Sequence, residues 1–491
     1  MLKIKNSSPM TTRIAAAVIG IALLTLPGIA QAQTDTGRIF RAGASTSNIT
    51  PAVGTSINGN FNDEIVKHIH DETHVRCIVL DDGNSRLAIA VADLCMVSRA
   101  TLDTAKRRAS IVTHIPVENM LISATHTHSG GTACSVFQSD PNPEYLRFLE
   151  SRIADAVIRA NNNLAPARIG WGTGSETGQV FNRRWKMKPG ESMVNPFGNT
   201  DKVKMNPGIG NANLLEPAGP TDPGISVVSI QTLDGTPVAL LANYSLHYVG
   251  GVGKGEVSAD YYGMFANRIP QLLNANGQHN QFVAIMSNGA SGDVNNINFG
   301  AASSVSSPPY HQMQKVANII AAEVYKVVQQ IKYQNRVPLS VKQKQIELLV
   351  RKPDKRELTR AKAILSKINK PVLTSVESLY ARETVLINDY PAEVSLILQA
   401  MRIGDLAITA IPCEVFAETG LEIKAKSPFK STFTISLANG YNGYLPTPAQ
   451  HQLGGYETWR ARSSYLETDA SVKITQSLFE MLDSLNKEKQ P

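Results

Sequence analysis

The chain has histidine, carboxylate and phenol side chains at points where apolar, strand-like runs give way to glycine, asparagine or proline. The densest such point is Ser123-Ala-Thr-His126-Thr-His128-Ser-Gly-Gly131. Two histidines one residue apart at a strand end project to one face, because side chains of extended backbone repeat every two residues. Such a pair can share a metal ion, or one ring can bind metal while the other moves a proton. It also fits a pair of loop histidines held by hydrogen bonds. Asn243-Tyr-Ser-Leu-His247 sets a further histidine at a strand end, and Ile411-Pro-Cys-Glu414 sets a carboxylate at a strand-to-helix junction. Asn439-Gly-Tyr441-Asn-Gly-Tyr444 sets two phenols in a turn after the apolar run 433–437. Singly, each fits a structural role: His247 as a core histidine, Glu414 as a helix N-terminal carboxylate, Tyr444 as a packing residue. Ser291, in Gly289-Ala-Ser291-Gly-Asp293, is a candidate serine-hydrolase nucleophile, although the second glycine of G-x-S-x-G is missing.

Elements that would position these residues follow from periodicity. Residues 76–80, 87–91, 120–123, 225–230, 238–244, 282–286, 394–403, 406–411 and 433–437 read as strands, and 143–161, 258–273 and 312–330 as helices. The alternation predicts an α/β fold of mixed β-sheets flanked by helices, a single catalytic domain over 33–491. In such sheets, ligand sites gather at strand ends and the loops that follow. Residues 352–388 carry many charges, read as two helices with a solvated face, and form a charged helical insertion, since chemistry-bearing segments lie on both sides. Residues 186–222 and 300–309 read as loops, and the first is placed to cover a site.

Taken together, the segments resemble the neutral, non-lysosomal ceramidases. The family's T-H-T-H-S-G motif stands at Thr125 to Gly130, and its histidine-bearing segment matches Asn243 to His247. Its P-x-E segment with a trailing glycine matches Pro412, Glu414 and Gly420, and its N-x-Y-x-x-Y segment matches Asn439, Tyr441 and Tyr444. Tyr456 stands where the family has a further tyrosine, and Asn182-Arg183 matches the start of an N-R-S segment. The order agrees, over about residues 42–482. The resemblance implies one zinc ion per chain on His126, His247, Glu414 and Tyr444. It further implies hydrolysis of the amide of ceramide, or of a related N-acyl compound, by a metal-activated water. His128 would carry the proton, Tyr456 would donate to the oxyanion and Arg183 would orient the polar head.

The match departs from the family at two points. The G-D-V-S-P-N hexapeptide reads Gly292-Asp293-Val294-Asn295-Asn296 here, so Asn295 stands where the family has a serine. An asparagine amide cannot act as a nucleophile but still donates and accepts hydrogen bonds. That substitution keeps open a non-catalytic, ceramidase-like binding protein. The family's further C-terminal β-rich domain is not expected after the final helix, which favours amide hydrolysis in general over ceramide in particular.

The bulk numbers narrow the setting. Lys3, Lys5 and Arg13 precede an apolar run, 14–26, and Ala30-Gln31-Ala32 supplies small residues two apart. The pattern predicts a signal peptide over 1–32, cleaved after Ala32, and a secreted or periplasmic protein. No later run is long and apolar enough to cross a bilayer, so membrane contact is limited to the surface. The formal charge is +7, three of those charges leave with the leader, and no basic stripe points to nucleic acid. Cys77, Cys95, Cys134 and Cys413 form no metal-type spacing, and one or two disulfides are compatible with export. Cys95 and Cys413 read as small buried hydrophobes.

Overall fold

A computed structural model describes residues 39–275, 282–303 and 307–488. The predicted leader lies outside the described residues. The described residues form one compact unit.

Two mixed β-sheets pack face to face. The larger has eight strands in the order Val283–Asn288, Pro237–Tyr244, Gly224–Thr232, Ala165–Ser175, Arg41–Asn48, His74–Asp81, Arg86–Ala92 and Met120–Ala124. Its pairings are antiparallel except at the two edges, where Pro237–Tyr244 runs parallel to Val283–Asn288 and Arg86–Ala92 to Met120–Ala124. The smaller sheet orders Leu339–Leu349, Glu393–Ile403, Leu406–Ala410 and Ser431–Ile435, with its last pair parallel. Between the sheets, Ile78, Leu80, Ile89, Leu121, Val228 and Leu241 meet Met401, Ile403, Ile408, Phe433 and Ile435.

Helices cover both outer faces. Arg99–Thr113 and Pro143–Asn162 bury Leu102, Leu149 and Ile153 against Val79, Ala88 and Ile122. Asp260–Leu272 and His311–Val328 do the same with Phe265, Ile269, Ile320 and Val324 against Val227, Leu240 and Met286. On the smaller sheet, Ile474, Leu478 and Leu482 of Ala470–Lys487 lie on Leu396 and Leu398. Central strands therefore bury both faces, with Ile78 turned to the other sheet and Cys77 to the helices, which explains their continuous apolar runs.

Several expectations change. The 186–222 stretch is not merely loop: Arg184–Met187, Val203–Met205 and Leu214–Pro217 form a three-stranded antiparallel sheet. The charged stretch does contain two helices, Lys355–Leu365 and Val376–Asn388, but the second is packed rather than solvated. It buries Leu379, Tyr380, Glu383 and Ile387, and Tyr380 sits among Phe61, Phe137, Phe197 and Trp459. Helical charge patterning missed this because only one face of three and a half turns needs to be apolar to pack. All four cysteines are free, so the disulfides allowed for are not formed; Cys95 and Cys413 are fully buried as expected.

Candidate metal centre

The chemistry-bearing segments all follow strands, and their backbones interlock there. Asn439 donates its N–H to Ile122 O, Ala124 to Leu437 O, and Ser436 to Asn288 O. The Asn288 amide donates to Thr125 O at 3.1 Å. Segments at opposite edges of the large sheet are thereby drawn together through the segment that follows the small sheet's last strand.

His126 lies beyond the end of its strand, at φ +79. The two histidines of the H-x-H therefore do not converge by strand alternation, as the sequence suggested. The chain turns at His126 instead, at a cost of roughly 1–2 kcal/mol for a non-glycine residue in the left-handed region, held by the His126 N–H bond to Leu94 O. Its Nδ1–H donates to Cys95 O at 2.8 Å, and His247 Nδ1–H donates to Ser291 O at 3.1 Å. Both bonds turn Nε2 inward. The two Nε2 atoms lie 3.1 Å apart, and His128 Nε2 is 3.3 Å from that of His126.

Glu414 closes the group, with Oε2 at 3.3 Å from His126 Nε2. Glu414–Val415 pairs in parallel with Tyr444–Leu445 in a register that sets Glu414 beside Tyr444. Tyr441 donates to Glu414 Oε1 at 3.0 Å, whereas Oε2 is buried without a hydrogen-bond partner. Ligand atoms of His126, His247 and Glu414 all lie within 4.8 Å of one another. Two imidazole nitrogens and an orphaned carboxylate oxygen around one point suit a divalent transition metal.

Electrostatics sets the imidazoles around that point apart. Burial, then the cationic Arg183 and His126, hold His247 well below the usual imidazole range, so it stays neutral and able to ligate. Burial, then His126 and Arg183, do the same for His128. Burial opposes charge on His126, but Cys95 and Glu414 outweigh it and raise its pKa well above the usual value. Burial and Glu414 push the Tyr444 phenol up, so its anion needs a neighbouring cation.

Arg183 joins the remaining residues. Its NH1 lies 3.2 Å from His247 Nε2, and its NH2 donates to Tyr444 Oη at 3.2 Å and Gly292 O at 2.9 Å. The Tyr456 ring stands edge-on to Tyr444, with centroids 5.8 Å apart. His128 is stacked on Tyr248, with centroids 3.6 Å apart. Its other neighbour is Gly59, where an added Cβ would lie 2.5 Å from the His128 ring. Asn295 points elsewhere: its amide donates to Asn206 Oδ1 at 2.9 Å and accepts from the Ile297 N–H. Ser291 donates its hydroxyl to Asn288 Oδ1 at 2.7 Å, and only its carbonyl reaches the centre.

Some participants carried no sequence signal of their own. Tyr248 adjoins His247, and Tyr441 was visible only as a motif position. Glu457 and Arg184 look like ordinary surface charges in the sequence, yet both have 0% exposure. Asp293 acts locally: it accepts from the Ala417 N–H at 2.8 Å, while Gly292 donates its N–H to Val415 O. The Gly-Asp pair thus fixes the segment that bears Glu414.

Fold and site define an α/β protein with a buried histidine–carboxylate centre of metal-binding type. Residues 40–318 match the family described as neutral/alkaline non-lysosomal ceramidase, N-terminal, and the chain belongs to that family. Its fold is similar to that of the crystal structure of neutral ceramidase from Pseudomonas aeruginosa, at 19% identity and a TM-score of 0.70, over 92% of this chain and 75% of that one. A ceramidase complexed with C2 is similar at 17% identity and a TM-score of 0.68, over 92% and 76% of the respective chains.

Proposed function

We propose that this protein is a zinc-dependent amidohydrolase that cleaves the amide of ceramide or a related N-acyl lipid. The observation that carries the reading is the orphaned Glu414 Oε2 beside two imidazole nitrogens whose Nδ1 atoms are both tied to backbone carbonyls. Family membership supplies the substrate class. His126, His247 and Glu414 would hold the ion, with Tyr444 as fourth ligand. Zinc, when bound, lowers the pKa of a water and polarises a carbonyl.

The chain's own groups do the rest. Neutral His128, clamped between Tyr248 and Gly59, accepts a proton at Nε2 from the attacking water and returns it to the leaving amine. Tyr456 donates from its phenol to the oxygen of the tetrahedral adduct. Arg183 orients the polar end of the substrate from the same side. Phe61 and Trp459, packed on Tyr456 and backed by Tyr380, give the apolar part of the substrate a wall. Contact with a membrane would be superficial; no helix among the described residues is long and apolar enough to cross one.

Asn295, in the family's serine position, favours a second reading, a binding protein that has kept the fold. One experiment separates the two: turnover of a panel of N-acyl substrates, with zinc measured on the same sample. Amide cleavage with about one zinc per chain, lost to a chelator and restored by zinc, is expected. A metal-loaded protein that cleaves none of the panel supports the binding reading, and a protein that binds no zinc overturns the proposed centre.

A further inference from the structure

Glu457 lies in the short 3-10 turn Tyr456–Thr458, one residue beyond the phenol assigned to the oxyanion. Its carboxylate is completely buried, and each oxygen serves a different arginine. Oε1 accepts from Arg183 Nε at 2.8 Å, and Oε2 accepts from Arg184 NH1 at 2.6 Å. Arg184 is itself fully buried and donates from NH2 to Gly454 O at 2.7 Å and from Nε to Gln450 Oε1 at 3.3 Å. Successive side chains on extended backbone point to opposite faces, yet these two meet on one carboxylate. Arg184 therefore immobilises Glu457, and Glu457 becomes a fixed point for Arg183.

The consequence is geometric, because a guanidinium is planar and offers its donors in a rigid fork. Glu457 takes the Nε edge of Arg183, while Gly292 O and Tyr444 take NH2. With both edges held, only NH1 is turned toward His247. The same carboxylate belongs to the turn that carries Tyr456. One buried residue thus sets Arg183 against Tyr456, two groups whose segments lie far apart in the sequence.

We propose that Glu457, anchored by Arg184, is a positioning residue that fixes the Arg183 guanidinium relative to Tyr456 and the histidine–carboxylate centre. The inference rests on the hydrolytic reading of that centre for its kinetic consequence, but not for its geometry. A purely structural role, neutralising two buried cations, makes a different forecast. Glu457→Asp keeps the charge and shortens the reach by one methylene. If position matters, kcat on an N-acyl substrate falls about 100-fold, the usual scale for a misplacement of about 1 Å, with zinc content and melting temperature near those of the wild type. Arg183→Lys disturbs the same guanidinium, so the double variant should lose no more than Arg183→Lys alone.

A crystal structure of Glu457→Asp should show the guanidinium displaced from His247 and Tyr444. Should Glu457→Asp fold poorly, Glu457→Gln combined with Arg184→Met removes one charge of each sign and carries the same forecasts. Wild-type kcat in the variant, multiplying losses in the double variant, or an unmoved Arg183 would each overturn the proposal. A wild-type protein that cleaves no N-acyl substrate would sink the hydrolytic reading instead, while the variant structure still decides the positioning claim.

Discussion

At the scale of single residues, His126 and His247 each use one nitrogen for a backbone carbonyl and present the other to the centre. Replacing either with alanine should abolish zinc binding and turnover while the melting temperature stays within a few degrees, since a metal site with an open position seldom holds a large domain together. Zinc analysis and melts on the same preparations check this; near-wild-type turnover in either variant would refute the ligand assignment. Asn295 hydrogen-bonds away from the centre, toward Asn206 and Ile297. Asn295→Ser is therefore expected to keep turnover within a few-fold of the wild type, and an inactive wild type rescued by serine would show that a side-chain nucleophile is needed.

Lys106 adds a pH test at the same scale. Burial pulls its pKa from 10.5 down to about 8, and its ammonium meets Asn439 Oδ1 at 2.7 Å. Between those two values the unfolded chain binds more protons than the folded one, so Lys106 makes stability rise with pH there. The full rise is about 3 kcal/mol at about 1.4 kcal/mol per pKa unit. Below pH 8 both states are protonated and the contribution no longer changes. Urea unfolding from pH 7.5 to 10 should show this rise in the wild type relative to Lys106→Met, and parallel curves would refute it.

At the scale of elements, the Val376–Asn388 helix packs Tyr380 against Phe61 and Trp459, and Glu383 is its anchor. The buried Glu383 carboxylate accepts from Arg462 Nε at 2.9 Å, from Arg462 NH2 at 2.8 Å and from the Arg462 N–H at 3.0 Å. Glu383→Ala strands the Arg462 guanidinium in a site where it is only 9% exposed. The expected cost is about 3–5 kcal/mol, read as a lower denaturation midpoint; a change under about 1 kcal/mol would mean the pair contributes little. Tyr380 sits on the same helix, so turnover of long-chain substrates should suffer before zinc content does.

At the scale of the whole molecule, the centre exists because two sheets stack with their strand ends interlocked. The sheets are joined by the core of Leu121, Ile285, Ile408 and Phe433. We further propose that the chain works outside the cytoplasm with Gln33 as its first residue, on the strength of the Ala30-Gln31-Ala32 site. N-terminal sequencing of exported protein is expected to begin at Gln33, and an intact chain found only in the cytosol would refute this.

The sequence by itself determined most of the buried strands and several of the helices, though not Arg41–Asn48, Ala165–Ser175, Leu339–Leu349, Arg99–Thr113 or the sheet within 186–222, and it showed which side chains stand at strand ends. Both are local: apolar periodicity and turn residues act over a few positions. It could not determine the contacts that give those side chains their chemistry. The meeting of His126 with Glu414, the orphaned Oε2 and the shared carboxylate of Arg183 and Arg184 join segments hundreds of residues apart. Burial alone turns Glu457 from an ordinary surface-type charge into a fixed anion, because outside water an ion must find its partner within the fold. Nor did periodicity foresee the turn at His126, whose positive φ persists only because the surrounding structure holds it. Pairing across the sheets, and the desolvation that comes with it, were decided by the tertiary structure alone.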